Sequence, residues 1–220
     1  MATISLSEIA WMITLSLYVY FIVIISKYPY KWLLSRGFNE HRAAYVSRKF
    51  IHIFGAGIAT LFVPYVFSTP ILPFIAGLAL AAYLYYHHKS ERLLDWFQFK
   101  ENMYEVNFAV AWAFSMLVVW MITKNLFISI LPGLLIAFGD GVTGLARNLL
   151  IKRRSKHWIG NVFMLLVSVP IGYILAGLTG VVAAVVASYV ERYEYRNLDD
   201  NFLIAIVSSV ILIAGFIMQS

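Results

Sequence analysis

No cysteine occurs among the 220 residues, so the chain has no disulfide, no thiolate nucleophile and no thiolate metal site. Charge is nearly as scarce: 13% of residues are charged against 61% hydrophobic, and the mean hydropathy is +0.79. No ordinary soluble domain has this balance, which is that of an integral membrane protein. The opening stretch MATISLSEIAW lacks the basic region and small-residue cleavage site of a secretory signal, so the first apolar segment is expected to be retained. Soluble nucleotide motifs are missing too: there is no GxxxxGK[ST], and no GxGxxG between a strand and a helix.

What the chain has instead is apolar runs. With about 20 residues needed to cross the hydrocarbon, eight candidate spans fall near 7–26, 50–68, 71–87, 105–122, 126–146, 158–176, 179–193 and 201–218, an all-α polytopic helix bundle. The stretch 179–193 reads equally as tilted or partly interfacial, which makes seven the competing count. Basic residues arbitrate. Of 17 Lys and Arg, 16 fall in the connections after spans one, three, five and seven, and only Lys124 falls on the other side. Under the positive-inside rule, eight spans put all four charged connections in the cytoplasm and both termini on the non-cytoplasmic side. Seven would scramble that segregation. Arg153 and Arg154 fit a purely topological role. The formal charge of +6 is therefore read by its location, facing membrane lipids, and no nucleic-acid partner is expected.

The unusual polar residues collect at these same span ends. SRKFIHIFGAG (47–57) opens span two, with Arg48 and His52 four apart on one helix face and Gly55 and Gly57 thinning the helix for close approach. Such a face suits an anion, Arg48 offering a planar fork and Lys49 a point charge. Snorkelling at the interface is the plainer role. GDGVTG (139–144) closes span five with Asp140 among Gly139, Gly141 and Gly144. Glycines admit close backbone approach to a ligand, and a carboxylate beside phosphates recruits Mg²⁺; a helix break with a water-facing Asp is the alternative. SKHWIGNVFM (155–164) opens span six with Lys156 and Gly160 four apart, again one face. ERYEYRNLDDN (191–201) brings Glu191, Glu194, Asp199 and Asp200 together, which repel unless bases or cations neutralise them. A solvated acidic loop accounts equally for Glu194 and Asp199. Ends that carry both a basic cluster and several carboxylates look like a nucleotide–Mg²⁺ site assembled from several helices.

In this order the motifs resemble the CTP-dependent polyprenol kinases, the family of dolichol kinase, phytol kinase and the CTP-dependent diacylglycerol kinase. The matching elements are RKFIHIFG (48–55), FGDGVTGLARN (138–148), KHWIGNVFM (156–164) and ERYEYRNLDDN (191–201), within roughly residues 45–215. Two elements depart from the family pattern: Arg147 stands near an expected glycine, and His157-Trp158-Ile159-Gly160 replaces a Ser-x-x-Gly element. The resemblance implies transfer of the gamma-phosphate of CTP to the hydroxyl of an isoprenoid alcohol of the geranylgeraniol, phytol or dolichol type, or of a diacylglycerol, with Mg²⁺, at the cytoplasmic face. Under it Arg48, Lys49 and Lys156 grip the triphosphate with Gly139, Gly141, Gly144 and Gly160 beside it, and Asp140 binds the metal. Glu191 or Asp200 holds a second metal or orients the attacking hydroxyl. His52 positions the acceptor alcohol, with Gly55 and Gly57 next to the lipid. That chemistry needs chiefly positioning and charge stabilisation, which such residues supply.

The whole chain, 1–220, reads as one domain, with 1–47 supplying a span and an interfacial amphipathic segment and 48–201 carrying the motifs. YPYKWLLSRGFNEHRAAYVS (28–47) interleaves aromatic, leucine and basic residues as a helix lying on an anionic leaflet does. YYHHKSERLLDWFQFKENMYE (85–105) suits covering the site or binding headgroups; its adjacent His87 and His88 point apart on a helix, which argues against zinc. A site inside the membrane spares a kinase the extraction of a lipid tail, at about 0.8 kcal/mol per methylene. Two other classes remain: a cytidylyltransferase forming a CDP-lipid, and a small membrane carrier, which predicts charges near span centres and repeated halves. The CTP preference rests on the resemblance, because no cytosine-reading residues stand out. A prokaryotic cell membrane is the expected location, or the endoplasmic reticulum in a eukaryote.

Overall fold

The computed structural model describes residues 4–90, 92–151, 156–193 and 199–219; Arg153, Arg154 and Glu194, given roles above, lie outside them. The described residues form α1 (Leu6–Ile25), α2 (Lys27–Ser35), α3 (Glu40–Phe50), α4 (Ile58–Val66), α5 (Ile71–Lys89), α6 (Tyr104–Thr123), α7 (Leu126–Ser129), α8 (Leu131–Leu134), α9 (Gly141–Ile151), α10 (Trp158–Val190) and α11 (Asp200–Ile217). Two π-helical stretches, Ile51–Gly57 and Leu135–Asp140, join α3 to α4 and α8 to α9. Seven helical stretches are long and apolar enough to cross a membrane. Large apolar side chains face outward, with Leu17 62%, Val210 60% and Ile174 78% exposed, whereas Thr60, Ser168 and Ser208 are fully buried. Water would not tolerate that outer surface and lipid requires it, so the chain is a membrane protein.

Local chemistry sets the boundaries. Ser5 and Glu8 form a reciprocal capping box that starts α1. The other Glu8 oxygen accepts the Ser68 N–H at 2.6 Å and its hydroxyl at 2.7 Å, so one buried carboxylate ties α1 to the turn between α4 and α5. The α6–α7 corner turns on Lys124 at φ 51°, after which Asn125 Oδ1 accepts the N–H groups of Phe127 (2.9 Å) and Ile128 (3.2 Å). The span carrying Asp140 is the central element: Leu131, Leu134, Leu135, Ile136 and Ala137 are fully buried. Trp112 Nε1 donates to Thr60 Oγ1 at 2.7 Å and fastens α6 to α4 beside it.

The longest helix is a hairpin rather than a rod. A straight α10 of 33 residues would run about 50 Å. Its ends nevertheless meet: the Asn161 amide donates to the Ser188 carbonyl, and Lys156 Nζ donates to the Glu191 carbonyl at 2.9 Å. The reversal occurs at Ala176 (φ −144°, ψ 19°) and Gly177 (φ 57°, ψ −141°), the latter a region that only glycine enters without strain. Across it the backbones of Gly172 and Gly180, one on each arm, touch.

The bundle has two chemically distinct ends. One gathers Glu8 with Ser68, Tyr65 with Phe127, and Thr179 with Gln219. The other gathers Ser26 with Ser47, Arg42 with Asn148, and Lys156 with Asp200.

Two sequence expectations change. The segment 28–47 was to lie on the membrane surface, and α2, with only Leu33 buried, is compatible with that. Residues from Glu40 onward instead belong to α3, which runs unbroken into the second span and buries Ala43, Ala44, Ser47, Arg48 and Lys49. Its polar face meets a polar cavity inside the protein, not headgroups. Lys156 and Gly160 do not share a helix face either: α10 starts at Trp158 with His157 as its cap, so Lys156 precedes the helix.

Candidate active site

Asp140 is the last residue of its π-helical stretch and is 1% exposed. Lys49, in the last turn of α3, donates to its Oδ2 at 2.5 Å, a buried ion pair. His52 lies in the facing π stretch, its Nδ1 3.8 Å from the same oxygen and its ring 4.0 Å from that of Phe108; Nδ1 has no hydrogen-bond partner. Two adjacent π stretches are uncommon, and such turns concentrate where a helix must re-aim side chains at a site. Gly144 admits this arrangement, because a Cβ there would stand 2.6 Å from Tyr45 Oη and just as close to the Lys49 stem.

Arg147, two turns beyond Asp140 on α9, is the fastener of the site. Its two terminal nitrogens fork onto Glu191 at 2.6 and 2.7 Å, its Nε donates to the His157 carbonyl at 2.9 Å, and one terminal nitrogen also reaches Asn161 Oδ1 at 3.1 Å. One side chain thereby joins α9, the start of α10 and the end of its returning arm. Gly160 is a glycine because a Cβ would overlap the Arg147 guanidinium. Lys156 Nζ donates to Asp200 Oδ2 at 3.0 Å and lies 3.4 Å from Glu191 Oε1. Oxygens of Asp140, Glu191 and Asp200 all lie within 4.8 Å of one another. Both Glu191 oxygens are committed to Arg147, whereas Asp140 Oδ1 and Asp200 Oδ1 have no partner among the described residues. The donor set fits a divalent cation, which takes one or two carboxylates and fills its remaining positions from substrate and water.

Arg48 is 5% exposed and forms no ion pair among the described residues; its guanidinium sits 5.2–5.4 Å from the rings of Tyr45, Phe99 and Tyr104, and one buried terminal nitrogen has no acceptor among them. These groups border a cavity of about 880 Å³ open at this end of the bundle. Residues 92–103 form a strap along its edge. Trp96 Nε1 donates to the Val23 carbonyl and Ser26 Oγ, each at 3.1 Å, and Gln98 Nε2 donates to buried Glu105 at 2.9 Å. Phe99, Glu101 and Asn102 of the strap border the cavity. Beside it, Asp199 caps α11, and burial together with the charge of Asp200 pushes its carboxyl above the usual range.

Of the residues singled out from sequence, Arg48, Lys49, His52, Lys156, Glu191 and Asp200 line this cavity, Asp140 lies buried behind Lys49 within reach of Glu191 and Asp200, and Gly144 and Gly160 pack against lining side chains. The other glycines pack helices: Gly55 against Ile22, Gly57 against Phe138, Gly139 against Ser168 and Met164, Gly141 against Ile53. Gly55 and Gly57, named above for a lipid contact, are buried among these side chains. Sequence reasoning noted Arg147 only as a departure, although a separation of seven residues from Asp140 already puts both on one helix face. Tyr45, Asn148 and Asn161 carried no such signal. No protein-family model, curated protein or solved structure matches the chain.

Proposed function

We propose that the protein is a membrane lipid kinase that transfers the gamma-phosphate of CTP to the hydroxyl of an isoprenoid alcohol. In this reading the α10 hairpin supplies two crossings, giving eight in all. Both termini lie outside and the cavity faces the cytoplasm of a prokaryotic cell. The observation that carries the reading is the convergence of residues from four separate sequence motifs: Lys49, Lys156, Glu191 and Asp200 line one charged cavity, and Asp140 stands directly behind Lys49 within reach of the other two carboxylates.

The residues divide the work. Arg48, Lys49 and Lys156 hold the triphosphate and offset charge on the transferring group. Asp140 and Asp200, with their uncommitted oxygens, are the residues that would hold Mg²⁺, which when bound shields the phosphate oxygens from one another. Glu191, held by Arg147, keeps Lys156 in place. His52, with a nitrogen lacking a partner beside Asp140, orients the acceptor hydroxyl from the membrane side. The Lys49–Asp140 pair neutralises both charges until substrate arrives.

The test uses purified protein in detergent with Mg²⁺ and gamma-labelled CTP or ATP, offered geranylgeraniol, phytol, dolichol and diacylglycerol in parallel. Label from CTP in an extractable isoprenoid phosphate is the expected result; label in diacylglycerol changes the acceptor. Pyrophosphate released from CTP and phosphatidate, with no lipid labelled, replaces the kinase by a cytidylyltransferase. Silence in both arms overturns the enzyme reading and favours a carrier.

A further inference from the structure

The cavity is longer than its charged end. α3 forms one wall, and the eight residues from Lys49 back to His41 cover about 12 Å at 1.5 Å per residue. Over that length the chemistry changes from carboxylates and ammonium groups to rings and amides. The His41 ring lies nearly flat on Phe99, with centroids 5.3 Å apart and planes 15° from parallel. Phe99 belongs to the strap, and its other neighbour is the Arg48 guanidinium at 5.4 Å. Asn102, three residues on and joined to Phe99 through one hydrogen-bonded turn, borders the same space, and its Nδ2 has no partner among the described residues. This end therefore presents a flat π surface together with two unanswered donors, the Asn102 amide and the buried Arg48 nitrogen. Among the described residues no carboxylate pairs with either. A lipid tail offers nothing to those donors, and a phosphate has no use for stacked rings. A heterocyclic base satisfies both: its face stacks and its ring nitrogens and carbonyls accept.

We propose that the His41–Phe99 wall is the base-binding end of the site, holding the heterocycle of a nucleoside triphosphate whose phosphates reach Lys49 and Lys156, with Arg48 and Asn102 donating to the base or its sugar. The proposal rests on the nucleotide reading above and extends it to the group that no sequence motif marked. It also gives the strap a role, since Trp96 and Gln98 fasten it to α1 and α6 and so hold Phe99 and Asn102 at the cavity. Base–aromatic stacking of this kind is sequence-tolerant, so the wall holds the base and does not by itself choose among bases.

The experiment measures equilibrium binding of CTP and of inorganic tripolyphosphate to the full chain in detergent with Mg²⁺, for wild type, Phe99→Leu and Phe99→Tyr. Leu keeps apolar bulk under the Arg48 side chain and removes the ring face; Tyr keeps both. The expected result is roughly tenfold weaker CTP binding in Phe99→Leu, unchanged tripolyphosphate binding, and near-wild-type behaviour in Phe99→Tyr. Equal loss of both ligands in Phe99→Leu overturns the proposal, because Phe99 then merely supports Arg48; no change in either overturns it as well. A wild-type chain that binds tripolyphosphate and no nucleoside triphosphate removes the base end alone. One that binds neither removes the nucleotide reading and the base end with it.

Discussion

A lysine and an aspartate buried together in a membrane protein are expensive unless each answers the other, and the 2.5 Å Lys49–Asp140 contact is that answer. Breaking one side leaves a lone buried charge. Lys49→Met is expected to cost about 3–5 kcal/mol of stability, seen as a lowered unfolding midpoint. Lys49→Met with Asp140→Asn should recover most of that loss, because the pair is removed together, while phosphotransfer stays absent. Asp140→Asn alone should abolish turnover in a folded protein; retained turnover would remove the metal role. Asp199 makes a different test. Its folded carboxyl titrates above the ordinary 3.8, so the folded chain keeps a proton that the unfolded chain has already lost. The stability it contributes is complete below that value and falls as pH rises through the folded one. Asp199→Asn, which can still cap α11, should flatten this part of the curve of unfolding midpoint against pH. An unchanged curve would mean that Asp199 is not the group titrating.

At the scale of elements, most of the helices were legible and their joints were not. Apolar length marked the spans near 71–87, 105–122 and 201–218, which the structure gives as Ile71–Lys89, Tyr104–Thr123 and Asp200–Ile217. A run of apolar residues carries no statement about a change from α to π geometry, since that depends on what the widened turn packs against. It likewise hid the entry of α3 into the bundle, because a polar helix face reads the same whether it meets water or a polar cavity. The α10 reversal was partly visible, as Gly177 and Leu178 separated two candidate spans. Gly177→Ala tests it: nothing lies within 4 Å of the added Cβ, so the expected loss of about 1–3 kcal/mol is purely that of forcing φ 57° on alanine. Gly180→Ala should cost more, because its Cβ would press on the Gly172 carbonyl. Thermal unfolding of both variants beside wild type checks the order.

For the molecule as a whole, the two ends of the bundle differ in charge, and their placement across the membrane can be read directly because the chain has no cysteine to remove first. Single cysteines at Ile4, Lys124 and Gln219 should react with an impermeant thiol reagent from outside intact cells, and one at Arg36 should react only after permeabilisation. Opposite accessibility of Ile4 and Gln219 would demand an odd number of crossings and overturn the eight-span reading. Composition alone determined that the protein lives in lipid, and the spacing of apolar and basic residues determined where its helices run and which ends carry charge, because those depend only on solvation of one segment at a time. Four short motifs pointed to the charged residues of the candidate site. Only the tertiary structure decided that Asp140, Glu191 and Asp200 converge, that Arg147 binds the site together, and that Phe99, Glu101 and Asn102 border it. Those relations join residues far apart in the sequence, 60 positions for Asp140 and Asp200, and no local pattern records a distance across the bundle.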